Sequence, residues 1–157
     1  MRKFTQTNLD PGNCWQTAIA CILEVEPSLL PDQVALEAAN KQYNNALNAY
    51  LEHHHGLMYS ELEDYQFGGI LVREPGFHLL FGPTVRTTAE RNIHHVVVAR
   101  HGEMVWDTHP SRAGLTVVKR WGILAPLPDR VRWWRKEMLA GGGQWDFKCV
   151  CPTCKSV

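Results

Sequence analysis

The sequence lacks a long apolar run, an excess of charge of either sign and a leader-like N-terminus. No stretch reaches the roughly 18 consecutive apolar residues that mark a membrane-spanning helix, so we expect no membrane partner. The 16 basic residues are balanced by 16 acidic ones. This balance argues against affinity built on phosphate neutralisation, and we expect no nucleic-acid partner. The first residues, Met1 to Gln6, carry charge with no apolar segment behind them, so we expect no secretory signal.

The composition that is present is that of one ordinary globular domain. The chain has 157 residues, of which 45% are apolar and 20% charged. These values exclude the disordered and fibrous classes and predict a single core. Five cysteines are an odd number in a chain without a predicted secretory signal. We therefore expect reduced thiols and a cytoplasmic location.

Hydrophobic periodicity predicts helices early in the chain and strands after them, which is an α+β order. The clearest helix covers residues 14–24, with Asn13 as its N-cap and Pro27 beyond its end. Further helices are predicted over residues 31–55, with Gly56 as the cap, over 59–65 and over 130–139. Strands are predicted over residues 69–72, 77–81, 93–100, 103–107 and 115–119, with a hairpin turn at His101 and Gly102.

Cys14 is the sharpest chemical feature, because it opens the first predicted helix directly after a turn at residues 10–13. A thiol at that position faces backbone N–H groups and the positive end of the helix dipole, which favour the nucleophilic thiolate form. A working nucleophile also needs a base, and the base needs an orienting partner. Cys21, inside the apolar helix, is expected to be a small buried apolar residue instead.

His95 and Asp107 are the candidate base and orienting residue. They are twelve residues apart and the predicted hairpin turn falls near their midpoint, so they can be cross-strand neighbours. Two alternatives stay open at this stage. His94 competes with His95, since adjacent strand residues face opposite sides. Asp107, for its part, could merely cap the turn over residues 108–111.

Three short boxes resemble those of papain-like cysteine peptidases: Gly-Asn-Cys-Trp-Gln-Thr-Ala at residues 12–18, His-Val-Val-Val from His95, and Asp107. The likeness is strongest to the compact branch that processes bacteriocin precursors at a double glycine, and to related small phage and bacterial proteins. The resemblance implies a minimal papain-like fold, with the Cys14 helix packed on an antiparallel sheet. It also implies a hydrolase that cleaves an amide or isopeptide bond through a thioester on Cys14.

The resemblance assigns a role to each matched residue. Cys14 would attack the carbonyl, His95 would move the proton and Asp107 would hold the imidazole. The Gln6 amide and the backbone N–H of Cys14 would stabilise the oxyanion. Gln6 lies eight residues before Cys14, two more than the family pattern, and Asn8 occupies the expected position as a weaker substitute.

Three further residues are candidates for binding the expected peptide or protein substrate: Asn13, Trp15 and Arg112. Arg112 follows Asp107 closely and could bind a substrate carboxylate, although a solvated loop arginine is the simpler interpretation. No cofactor is expected for the catalysis. His95, Asp107 and His109 also have the ligand types of a metal site, but not a known metal spacing.

The last residues form a Cys-x-Cys-x-x-Cys pattern of Cys149, Cys151 and Cys154. Three thiolates fit zinc, but a closed structural site needs a fourth ligand, such as Asp146, a distant histidine or a cysteine of another chain. Free thiols are the alternative. A run of three glycines predicts a hinge that divides the chain into a hydrolase domain, residues 1–140, and a tail, residues 141–157.

Two other classes of function therefore remain beside the cysteine hydrolase. One is a catalytically inactive binding protein that keeps the papain-like fold and uses its cleft for recognition. The other is a metal-binding module in which the cysteine-rich tail is the functional part. The sequence gives no indication of the oligomeric state.

Overall fold

The computed structural model describes residues 1–63, 76–88 and 93–127. Within these ranges the helices precede the strands, so the α+β prediction is confirmed. No helix of the described ranges is long and apolar enough to cross a membrane. The helices are α1 (Cys14–Leu23), α2 (Gln33–Ala38) and α3 (Tyr43–His55), with a short 3-10 helix at Pro27–Leu29. The strands are β1 (Leu57–Glu63), β2 (Phe77–Pro83), β3 (His94–Arg100), β4 (Glu103–Asp107) and β5 (Arg120–Pro126).

The five strands form one antiparallel sheet in the order β1-β5-β2-β3-β4. Strand β3 lies between β2 and β4, and α1 packs across it. Val96 and Val98 face the cluster that contains Ile19 of α1, whereas Val97 and Ala99 face a second cluster on the other side of the sheet. Because β3 is buried on both faces, its sequence is an unbroken apolar run and does not alternate between apolar and polar residues.

The helix predicted over residues 31–55 is in fact two helices. Asn40 adopts a left-handed backbone with φ of 54°, a region that asparagine enters more readily than most residues. The N–H of Lys41 then donates to the carbonyl of Leu36 at 2.8 Å, which closes the end of α2 before α3 begins. The far end of α3 is as predicted, with Gly56 as a left-handed cap.

The helix predicted over residues 59–65 is wrong, because its described part belongs to β1. Tyr59 is buried, and both of its backbone polar groups bond to the side chain of Asn48 on α3. The Tyr59 N–H donates to Asn48 Oδ1 at 2.7 Å, and Asn48 Nδ2 donates back to the Tyr59 carbonyl at 3.3 Å. A tertiary contact therefore satisfies the backbone of Tyr59 on the side of β1 away from β5, a feature that local propensity does not reveal.

The strand predicted over residues 115–119 is also misplaced, since regular pairing begins only at Arg120. The preceding residues already follow β2, and the Lys119 N–H donates to the Phe81 carbonyl at 2.8 Å. A Cβ at Gly82 would lie 2.0 Å from the carbonyl oxygen of Val117, so the two backbones cross too closely for a regular ladder. The predicted strands at 77–81, 93–100 and 103–107 are confirmed as β2, β3 and β4.

Several predictions lie outside the described residues. They are the strand over 69–72, the helix over 130–139, the glycine hinge, the division of the chain after residue 140, and the zinc ligands Cys149, Cys151 and Cys154.

Candidate active site

Cys14 is the first residue of α1 and is 9% exposed. Asn13 stands at the predicted N-cap position, and its carbonyl accepts a hydrogen bond from the Thr17 N–H at 3.0 Å. The Asn13 side chain does not cap the helix. Instead it accepts from the Asn8 N–H at 3.2 Å and donates to Thr7 Oγ1 at 3.3 Å, which fixes the loop that leads into Cys14.

His95 and Asp107 meet across the β3–β4 hairpin. Its turn consists of His101 and Gly102, both with positive φ, as the predicted two-residue turn requires. A register shift beyond Val98 places Asp107 opposite Val97, so His95 is its diagonal neighbour. The distance from His95 Nε2 to Asp107 Oδ1 is 2.6 Å, and both side chains are 2% exposed.

Asp107 also accepts two backbone hydrogen bonds from the loop that follows it. The His109 N–H donates to Oδ1 and the Gly114 N–H donates to Oδ2, each at 2.8 Å. Asp107 therefore both caps the turn and holds His95, so the two alternatives of the sequence are compatible. Burial opposes ionisation of this carboxyl, but the bonds from His95 and from the two N–H groups outweigh it and lower its pKa to about 2.

The charge state of His95 follows from its two partners. Burial acts to lower the pKa of the imidazole, whereas hydrogen bonds to Asp107 and Cys14, and the charges of both, raise it to about 9. His95 is therefore mainly the imidazolium at neutral pH. Because Nε2 is used by Asp107, Nδ1 is the ring nitrogen that remains for the thiol of Cys14.

A cavity of about 250 Å³ opens beside the thiol. It brings together three of the four residues predicted to be catalytic, Cys14, His95 and Gln6, while Asp107 lies behind His95. His94 is exposed at the same cavity, but the carboxylate partner belongs to His95. The cavity is lined by Gln6, Leu9, Asp10, Gly12, Cys14, Glu37, Arg86, Ile93, His94 and His95.

Gln6 is held in the cavity wall by the loop after β4. Its backbone N–H donates to the Thr108 carbonyl at 2.9 Å, and its Oε1 accepts from Thr108 Oγ1 at 3.4 Å. Nε2 donates one hydrogen to the Asn8 carbonyl at 3.0 Å. An amide NH2 group carries two hydrogens, so the second is free to point at a ligand.

The other candidate binding residues pack against protein. Trp15 lies in an aromatic cluster, with ring centroids 5.1 Å from Tyr43, 5.1 Å from Tyr59 and 5.6 Å from Phe81. Asn13 is engaged in its own loop. Neither is among the residues that line the cavity beside Cys14.

Arg112 likewise supports the site rather than lining the cavity. Its guanidinium donates to the Asp107 carbonyl and, at 2.5 Å, to Thr5 Oγ1. It also lies 3.9 Å from the ring centroid of Trp106. Arg112 therefore links the segment that carries Gln6 to the strand that carries Asp107.

The described residues hold no group of three or more His, Cys, Asp or Glu side chains that could bind a metal ion. His109, the suggested third ligand beside His95 and Asp107, bonds through Nδ1 to Ser111 in its own turn. Its Nδ1 accepts from the Ser111 N–H at 3.1 Å and lies 2.8 Å from Ser111 Oγ.

Three charged residues of the cavity were not predicted: Asp10 in the turn before Cys14, and two residues far from it in the chain, Arg86 and Glu37. Arg86 lies in the loop between β2 and β3, and Glu37 lies on α2. Neither belongs to a motif, and only the tertiary fold brings them to Cys14. The one usable signal was that Arg86 follows a predicted strand within a turn rich in proline and threonine, and binding residues are frequently found in such loops.

Comparisons with protein-family models, with curated proteins and with solved structures found no match for this chain.

Proposed function

We propose that this chain is a cysteine hydrolase of the compact papain-like type, which cleaves an amide or isopeptide bond in a peptide or protein. The observation that carries the proposal is the buried bond of 2.6 Å between His95 and Asp107, with His95 in the same cavity as Cys14 at the start of α1. Thiol acyl transfer needs a nucleophile, a base beside it and a carboxylate that orients the base, and Cys14, His95 and Asp107 are the candidates for these roles.

Acylation begins with attack of the Cys14 sulfur on the substrate carbonyl carbon, which forms a C–S bond and places negative charge on the oxygen. The His95 imidazolium then gives its proton to the leaving nitrogen as the C–N bond breaks, and a thioester remains. Asp107 keeps the ring oriented and stabilises its positive charge throughout.

Deacylation repeats these steps with water. The neutral imidazole of His95 takes a proton from water, whose oxygen attacks the thioester carbon. Collapse of the intermediate breaks the C–S bond, releases the carboxylic acid product and restores the pair of Cys14 and His95.

The oxyanion of both steps needs hydrogen-bond donors. The backbone N–H of Cys14 lies in the first turn of α1, where N–H groups have no partner within the helix. Gln6 lines the same cavity, and its Nε2 has a second hydrogen beyond the one given to the Asn8 carbonyl. A pair of such donors is a common arrangement for stabilising an oxyanion, and removal of one costs on the order of 10²–10³ in rate.

The rate of alkylation of Cys14 by iodoacetamide at pH 7 tests the proposal, with each cysteine followed by peptide mass spectrometry. We expect Cys14 to react at least tenfold faster than Cys21 in the same molecule, and to slow by roughly tenfold or more in His95→Ala. Cys21 is an internal control, because it is fully buried and its burial raises the pKa of its thiol.

A Cys14 thiol that reacts no faster than Cys21 and ignores the loss of His95 would contradict the hydrolase proposal. That outcome favours a binding protein that keeps this fold without its chemistry. A fast thiol that depends on His95 justifies profiling amide substrates for turnover.

A further inference from the structure

The positively charged side chain of Arg86 lines the cavity that contains Cys14 and His95. Its position is set by a compact turn after β2. The Arg86 N–H donates to Thr84 Oγ1 at 3.1 Å, and the Thr87 N–H donates to the Thr84 carbonyl at 2.9 Å. Thr87 Oγ1 then donates to the Ile93 carbonyl at 3.0 Å, which ties the turn to the start of β3. These hydrogen bonds fix the backbone from which the Arg86 side chain extends.

One donor of the Arg86 guanidinium, Nε, lacks a hydrogen-bond acceptor within the described part of the chain. This atom is buried, and no carboxylate there forms an ion pair with the guanidinium. Two acidic residues, Asp10 and Glu37, line the same cavity, and neither forms an ion pair with Arg86 within the described part of the chain. Glu37 Oε1 accepts from Gln33 Nε2 at 2.9 Å. A guanidinium that lines a cavity without an ion pair among the described residues favours an anionic ligand, because such a ligand would compensate its charge.

The charge of Arg86 also acts on His109, which lies beside His95. It contributes, after burial, to lowering the pKa of His109, whose ring centroid is 6.0 Å from that of His95. Because Arg86 and Cys14 line the same cavity, a group bound to Arg86 would share that cavity with the bond that Cys14 attacks.

We propose that Arg86 binds a carboxylate of the substrate, so that the amide cleaved at Cys14 carries an acidic group beside the scissile bond. The planar guanidinium fits a carboxylate with two parallel hydrogen bonds. The cleavage rests on the proposed hydrolase function, whereas the binding of a carboxylate near Cys14 does not.

A pair of alkylating reagents tests the binding without any turnover. Iodoacetate and iodoacetamide both transfer their CH2 group to the Cys14 thiolate with loss of iodide, and they differ in having a carboxylate or a neutral amide. The ratio of the two rates at Cys14 therefore reports attraction for a carboxylate beside the sulfur. We expect Arg86→Gln to lower this ratio by roughly tenfold, the size of one charge-assisted hydrogen bond.

Two further variants make the result specific. Arg86→Lys keeps the positive charge but loses the planar pair of donors, so it is expected to give a ratio between those of wild type and Arg86→Gln. Arg2→Gln removes a surface arginine whose ion pair is with Glu26, outside the cavity, and is expected to leave the ratio unchanged. Because both reagents report on the same thiol, a general effect of folding on the reactivity of Cys14 cancels in the ratio.

The outcomes separate this inference from the hydrolase proposal. A ratio that is the same in wild type and in Arg86→Gln overturns the role of Arg86, even if the chain hydrolyses amides. A ratio that depends on Arg86 in a chain without amidase activity supports the carboxylate site and overturns only the hydrolase. If the chain has both the carboxylate site and amidase activity, two peptides that differ only by Glu or Gln next to the cleaved bond can be compared. The ratio of their kcat/KM values should then fall in Arg86→Gln, as the alkylation ratio does.

Discussion

Asp107 is fixed by more than its bond to His95. The N–H groups of His109 and Gly114 hold both carboxylate oxygens, so the orientation of the carboxylate is set by the backbone. His95 in turn has little freedom, because it is buried in β3 and bonded to Asp107 through Nε2. The ring nitrogen that faces Cys14 is thus determined by a residue on the neighbouring strand.

Replacement of the carboxylate by an amide tests this dependence. In Asp107→Asn we expect the pKa of His95 to fall from about 9 toward its ordinary range, because the amide neither carries a charge nor accepts as strongly. The proposed amide hydrolysis should fall by about 10²–10⁴. An NMR titration of the histidine ring signals measures the pKa directly.

His78 serves as the control in the same titration. Burial lowers its pKa, and it stacks on Trp121 at 5.1 Å, away from Asp107. An unchanged His95 titration in Asp107→Asn, or an equal shift of His78, would refute the assignment of Asp107 as the orienting residue.

Two elements make the site: the N-terminus of α1 and the β3–β4 hairpin with the loop that follows it. The loop from Asp107 to Gly114 turns back on itself so that its own N–H groups reach the carboxylate. Gly114 makes this possible, since its φ of 70° lies in the left-handed region and a Cβ there would lie 3.2 Å from the sulfur of Met104.

A methyl group at this glycine should therefore disturb both stability and site. We expect Gly114→Ala to lower the free energy of unfolding by about 1–2 kcal/mol, the cost of a left-handed backbone in a residue with a Cβ. The reactivity of Cys14 should fall with it, since Asp107 loses a well-placed donor. Urea unfolding and the alkylation rate measure the two effects.

Gly76→Ala is the matched control, because a Cβ at Gly76 has nothing within 4 Å and its φ is not positive. Its unfolding free energy should stay within about 0.5 kcal/mol of the wild-type value. If the two variants behaved alike, the loop conformation at Gly114 would not be what holds Asp107.

At the scale of the whole molecule, the N-terminal segment completes the site. Phe4 is pinned on both sides: its N–H donates to Cys21 Sγ at 3.3 Å, and its carbonyl accepts from Trp106 Nε1 at 2.8 Å. Gln6 follows at the Thr108 carbonyl. The segment thereby spans from α1 to β4 and brings Gln6 next to residues about a hundred positions away.

The His95–Asp107 pair also predicts how stability depends on pH. The pKa of His95 is raised from 6.5 to about 9, so its contribution is fully present below pH 6.5 and is lost as pH rises through 9. The pKa of Asp107 is lowered from 3.8 to about 2, so its contribution is present above pH 3.8 and is lost as pH falls through 2.

We therefore expect the free energy of unfolding to decline between pH 6.5 and 9, by roughly 3 kcal/mol at most. Urea unfolding of wild type and of His95→Gln across this range measures it, and the difference between the two curves isolates the pair from other groups that titrate there. The two curves should converge at high pH. Parallel curves would mean that His95 is not held as an imidazolium.

The sequence by itself determined the α+β order, the start of α1 at Cys14 and the turn that joins β3 to β4, because periodicity, capping and turn residues act over a few neighbouring positions. It could not locate β1, whose edge is satisfied by Asn48, nor the start of β5, which depends on the close crossing at Gly82.

For the site, the order of Cys14, His95 and Asp107 along the chain was enough to nominate them. Only the tertiary structure decided the remainder: which residue of the hairpin faces Asp107, that Arg112 braces the site, and that Arg86 enters the cavity. These facts depend on a register shift and on loops packed across the sheet. Contacts between residues far apart in the chain leave no pattern in a single sequence, because only packing in three dimensions brings them together.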